Sequence, residues 1–63
     1  MQYTLKQWRR LRNMTQEQLA EAVDRAPITI LNWENGKSEP KYKDVLKLRL
    51  ALRLEPTDVI LMP

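Results

Sequence analysis

Apolar residues recur along this chain at spacings of three and four, and no stretch alternates with a period of two. That pattern predicts helices throughout and no sheet. Breaks at Asn13, Asp24 to Pro27, Asn35 to Pro40 and Glu55-Pro56 divide the chain into five short segments, each of two or three helical turns. The first, Thr4 to Arg12, sets Leu5, Trp8 and Leu11 at helical spacing, and Asn13 suits the left-handed residue that ends a helix. The second opens with Thr15-Gln16-Glu17-Gln18. Here the Thr15 hydroxyl can accept from a helix amide while Gln18 reaches back to the amide of Thr15, which is a capping box. Leu19, Ala20 and Val23 then form one narrow apolar face.

The third segment runs from Pro27 to about Asn35 and turns Ile30 and Trp33 inward. Proline suits the first helical position, where its missing N–H would have no partner anyway. Asn35-Gly36 ends this helix. The fourth, Lys41 to Arg53, carries Val45, Leu48 and Leu52 on one face with Leu46 beside them, and the fifth starts near Pro56 and contains Val59, Ile60 and Leu61. Met14 is expected to pack in the core. Only Asp24, Arg25 and Ala26 separate the second and third segments, too few for the helices to lie antiparallel. They should cross steeply, as in a helix-turn-helix, and Ala20 is small enough to permit close approach there.

Composition narrows the chemistry. With 63 residues there is room for one domain spanning 1–63, and with neither Cys nor His the core rests on packed side chains alone. A zinc site is excluded in practice. Catalysis is not expected either: the carboxylates sit mostly on exposed helix positions, no glycine-rich loop exists, and so short a chain can hardly enclose a pocket. No cofactor is implied. The longest apolar run, Val59 to Met62, is far short of the about 20 residues of a membrane span, so no membrane partner and a cytoplasmic location are expected.

The net charge of +3 is mild, but its distribution is not even. Lys6, Arg9, Arg10 and Arg12 face no acid before Met14. The middle of the chain, Thr15 to Asn35, is acidic through Glu17, Glu21, Asp24 and Glu34, and cations dominate again from Lys37 onward. Such clusters either neutralise phosphates or merely solvate a small surface.

In order and without gaps, several elements resemble the Cro/Xre class of phage-repressor-like regulators: Leu5 with Trp8-Arg9, Thr15-Gln16, Leu19-Ala20, Ile30 with Trp33, Glu34-Asn35-Gly36, Pro40, and the Leu46, Leu48, Leu52 face. The resemblance covers about Leu5 to Leu61. It implies an all-α, compact five-helix fold like that of the lambda repressor, with the helix-turn-helix proper over about 16–35. It also implies a bacterial or phage transcriptional regulator, a repressor, that binds double-stranded DNA as a homodimer. The third segment would lie in the major groove while the second crosses the backbone. Pro27, Ile28, Leu31 and Asn32 match the positions that read bases, with Thr29 able to donate to a base or a phosphate. Asn32 can pair with the N6/N7 edge of adenine, and Ile28 offers methyl surface to thymine or packs near the helix start. Gln16 matches a phosphate contact. Asn35, Gly36 and Lys37 match a loop that meets the opposite strand, partly through main-chain amides. Lys41 and Lys43 extend that basic edge or, like Lys47 and Arg53, solvate a helix face. Arg9 and Glu34 match a structural ion pair, and Trp8 and Trp33 fall on core faces. Self-association is expected through Val59 to Met62 or through the loop before the fourth segment, unless that run simply closes the core.

The departures from the family pattern matter. Asp24 stands where the turn usually has a left-handed Gly, and Arg25 where it has an inward apolar residue, so Arg25 must snorkel outward or change the turn. Ala26 replaces the usual Ser or Thr cap, at a cost of about 1 kcal/mol. Arg49 and Arg53 stand where small residues are common. Pro27, Ile28 and Leu31 leave the reading surface with few polar groups. Specificity would then draw on methyl contacts and DNA shape, or else the apolar helix binds a protein partner and the chain is an interaction module.

Overall fold

In the computed structural model, which describes all 63 residues, the elements follow the order β1 (Gln2–Thr4), α1 (Leu5–Leu11), α2 (Gln16–Ala22), α3 (Pro27–Glu34), α4 (Tyr42–Ala51) and β2 (Val59–Leu61). The first two helices open on the same device. Thr4 caps α1 and Thr15 caps α2, each hydroxyl accepting from the N–H three residues on while the Gln at that position, Gln7 or Gln18, accepts from the cap's own N–H. All four helices also end alike. A residue at positive φ follows the helix, namely Asn13 (57°), Asp24 (57°), Gly36 (75°) and Arg53 (55°). The next N–H then reaches back over the last turn: Met14 to the Arg9 carbonyl, Arg25 to Ala20, Lys37 to Asn32, and Leu54 to Arg49, at 2.9–3.1 Å. These closures satisfy carbonyls that the helix leaves unpaired and turn the chain sharply, so four short helices fold on one centre.

That centre is Leu5, Trp8, Leu19, Ala20, Val23, Ile30, Trp33, Leu48 and Leu52, all but fully buried, with Tyr3, Met14, Ala51, Leu54 and Ile60 packed around it. Helices α2 and α3 make the most extensive contact of any two elements, with Ala20 buried. Leu11, by contrast, is largely exposed, because α1 ends there and only its Leu5 and Trp8 side faces the core. Leu46 is also exposed, on the side of α4 away from Leu48 and Leu52.

The expectation of five helices and no sheet is corrected to four helices and a two-stranded parallel sheet. The fifth segment is the strand β2, paired with β1 in the register Gln2 to Val59, Tyr3 to Ile60 and Thr4 to Leu61. Each strand turns only its central residue inward, Tyr3 or Ile60, so the alternation is too short to register as a pattern. Pro56 starts no helix because Glu55 to Asp58 is a tight turn. The Asp58 N–H donates to the Glu55 carbonyl, the Asp58 carboxylate accepts from the Glu55 N–H, and Arg49 donates to the carbonyls of both. Trp8 fixes the strand by donating its indole N–H to the Val59 carbonyl at 2.9 Å. A parallel pair so short is marginal alone and depends on such anchors. No helix is long and apolar enough to cross a membrane.

Candidate nucleic-acid interface

Helix α3 is built with two unlike sides. Ile30 and Trp33 are buried, while Pro27, Ile28, Leu31 and Asn35 are exposed and Thr29 and Asn32 half-buried. The residues expected to read bases therefore share the open side of one helix.

Its C-terminal end is tied to α1 and α2 by a polar cluster. The Arg9 guanidinium donates from Nε to Glu34 Oε2 at 2.7 Å and from Nη1 to the Met14 carbonyl at 2.8 Å. Gln16 Nε2 donates to the other Glu34 oxygen at 3.0 Å. The side chains of Arg9 and Glu34 are only 10% and 2% exposed, so this is an ion pair out of solvent. Gln16, at the start of α2, is thereby held beside the end of α3.

The N-terminal end is tied differently. Ala26 has the extended backbone of a cap but offers no side-chain hydrogen bond to the helix. Arg25, in the turn, instead lays its guanidinium over the Trp33 ring, 5.6 Å from the centroid, and stands 3.7 Å from Asp44 of α4. The unexpected cation thus snorkels along the core's edge and links the turn to α4. Asp44 itself accepts from the Lys41 N–H at the start of that helix. The partnership was not legible because nothing local relates Arg25 to Asp44.

The cations fall at both ends of α3. Lys37, with Asn35 and Gly36, is exposed in the loop leaving its C-terminus. Lys41, Lys43 and Lys47 line an open polar groove with Asp24 and Arg25, next to its N-terminus. The N–H groups of Asn35, Gly36 and Lys37 donate to the carbonyls of Leu31, Trp33 and Asn32, so they are already used in ending the helix. The side chains of Asn35 and Lys37 are what this loop can offer. Glycine suits this position on two grounds: its φ of 75° is one that other residues adopt only at a cost, and the Pro63 ring lies 3.1 Å from where a Cβ would stand.

Two short helices in sequence, the second with an open side and cations at both ends, match a known arrangement. A family model described as helix-turn-helix matches residues 5–59. The chain belongs to the Cro/Xre-type helix-turn-helix family. Comparison with curated proteins, and with solved structures, found no match. Membership of the Cro/Xre family identifies a DNA-binding regulator. Within that family pattern the Glu34–Arg9–Gln16 cluster and the contacts of Arg25 with Trp33 and Asp44 add polar ties to the packed core of the helix-turn-helix.

Proposed function

We propose that the chain is a sequence-specific transcriptional repressor that binds duplex DNA as a homodimer, with α3 in the major groove. The observation that carries this reading is the flanking of an open α3 by cations at both ends. In this reading Gln16, Asn35, Lys37, Lys41 and Lys43 contact phosphates. Gln16 has a second amide hydrogen to donate once Glu34 has fixed the first. Asn32 is the hydrogen-bonding reader, with Thr29, and Pro27, Ile28 and Leu31 supply apolar contact to thymine methyl groups. Arg9 and Glu34 hold the frame.

Two copies would bind half-sites about one helical turn apart. The pairing surface in this reading is the C-terminal run with the loop before α4. Val59, Leu61 and Met62 are partly exposed, and Pro63 lies against Gly36, so run and loop form one continuous surface.

The test is selection of binding sites from random duplex DNA by the purified protein, followed by affinity for the winner across a salt series. A palindromic motif whose affinity falls steeply with salt is expected. Asn32→Ala should relax one position of that motif, whereas Lys37→Ala should weaken all sequences alike and flatten the salt slope. No enriched motif would sink the proposal. One observation favours a second reading: Ile28 and Leu31 are 57% and 37% exposed on the helix that would read DNA. If α3 docks on a protein, Ile28→Asp abolishes partner binding and Asn32→Ala changes nothing.

A further inference from the structure

Helix α4 carries two apolar sides, and only one is used. Leu48 and Leu52 are buried and Val45 half-buried against the core. On the opposite side Tyr42, Leu46 and Leu50 follow one another at four-residue intervals, and Tyr42 and Leu50 are 77% and 80% exposed. Residues so spaced form one row along a helix. Leu54 and Pro56, in the segment after the helix, complete a groove with Leu46, Arg49 and Leu50. The wall of that groove is preformed, since Arg49 donates to the carbonyls of both Glu55 and Asp58 at 2.8 Å and locks the turn. A preformed wall lowers the ordering cost of binding.

Charge decides what fits. Lys43 and Lys47 flank the apolar row, and Arg53 follows it. The helix's one acid, Asp44, is buried on the far side and engaged with Arg25 and the Lys41 N–H. The nearest exposed acids in sequence are Glu39, before the helix, and Glu55, in the turn. A second copy docking α4 against α4 would set these cations against themselves, whereas a partner with acids beside an apolar row would pair with them.

We infer that the outward face of α4, centred on Leu46 and Leu50 with Leu54 and Pro56, is a docking surface for an acidic amphipathic segment of another protein. Apolar residues of the segment fill the groove and its carboxylates meet Lys47 and Arg53. The Leu50 end of the helix lies away from the α4 N-terminus, where the cations proposed to meet DNA lie, so Leu50 takes no part in DNA binding.

The experiment is selection of a displayed random-peptide library on the full chain, with counter-selection against Leu50→Lys. Leu50 is exposed, so that variant keeps its helical circular dichroism and its DNA affinity, which shows that any loss is local. Enriched peptides should carry Asp or Glu beside apolar residues at helical spacing. Their affinity should fall about tenfold or more in Leu50→Lys, fall again in Lys47→Glu, and weaken with salt. Three results would overturn the inference: no enrichment, enriched peptides without acids or indifferent to Leu50→Lys, or a wild-type dimer in sedimentation that Leu50→Lys dissociates.

Discussion

Replacing Glu34 with Ala removes the carboxylate that joins three helices and leaves the Arg9 guanidinium with the Met14 carbonyl alone. The magnitude follows from burial. A pair exposed to water is worth about 0–1 kcal/mol, because solvent and salt already screen it. This pair is 10% and 2% exposed, so truncating one member strands a charge away from water, at about 3–5 kcal/mol. A chain of 63 residues has, at ~0.05–0.15 kcal/mol per residue, a total stability of roughly 3–9 kcal/mol. Glu34→Ala should therefore consume from about a third of it to all of it, and bring the protein to its unfolding midpoint in buffer if its stability lies at the low end of that range. Urea titration followed by tryptophan emission is the assay, since Trp8 and Trp33 are both buried and both report the core. The double variant Arg9→Met with Glu34→Leu separates the causes. It removes both charges and fills their space, and it should recover most of the loss, less about 1 kcal/mol for the Met14 carbonyl that loses its donor. A Glu34→Ala cost below about 1 kcal/mol, or a cost that shrinks in high salt, would refute the reasoning and make the pair an ordinary surface contact.

Three further predictions concern local geometry. Arg53→Gly should stabilise the fold by about 0.5–1 kcal/mol, because Arg53 is exposed and held at a φ of 55° that glycine adopts freely; a matched urea titration checks it. Ala26→Ser should add about 1 kcal/mol by supplying the absent cap of α3, with the backbone already extended at φ −73° and ψ 149°. The hydrogen bond from the Glu55 N–H, then the Met1 ammonium, hold the Asp58 carboxyl below its ordinary range. With the folded value depressed, the stabilisation is complete above the unfolded carboxylate range. It is lost as pH falls through the folded value, so the protection factor of the Val59 amide, its exchange measured against the intrinsic rate at the same pH, should fall on acidification, and Asp58→Asn should remove that dependence.

The helices were legible because their signals are local. Thr15 with Gln18, Pro27, Asn13, and the paired apolar positions of α2 and α3 each act within a turn or two of chain, and the structure places them as that logic requires. The sheet was not legible, because β1 and β2 are joined by a register between residues 57 positions apart, Gln2 and Val59, and neither strand is long enough to show alternation. The Trp8 indole supplies what the strand lacks, yet as an apolar residue at core spacing it gave no sign of donating to Val59. Arg12 is similar: it reads as one of a cluster of cations, but it donates to the Leu52 carbonyl and covers Trp8. Arginines at the core's edge thus do structural work that charge counting assigns to solvent or to DNA.

That work bears on how α3 can be presented at all. The helix departs from its family's pattern at both the turn and the cap, with Asp24 at positive φ and Ala26 unable to bond the helix amides. Each loss is of order 1 kcal/mol. Arg25 offsets them at the same end, through its position over Trp33 and beside Asp44, and it does so from a residue of α3's own buried side to a residue of α4. At the other end the Arg9–Glu34 pair reaches α1, and Gln16 reaches α2. Helix α3 is consequently tied by Glu34 to α1 and α2, and Arg25, in the turn before it, links the Trp33 ring to α4, while Ile30 and Trp33 face inside and Ile28, Leu31 and Asn32 outside. Substitutions on the outer row should change what α3 binds without unfolding the chain, whereas substitutions at Arg9, Arg25 or Glu34 should lower stability first and binding only through it.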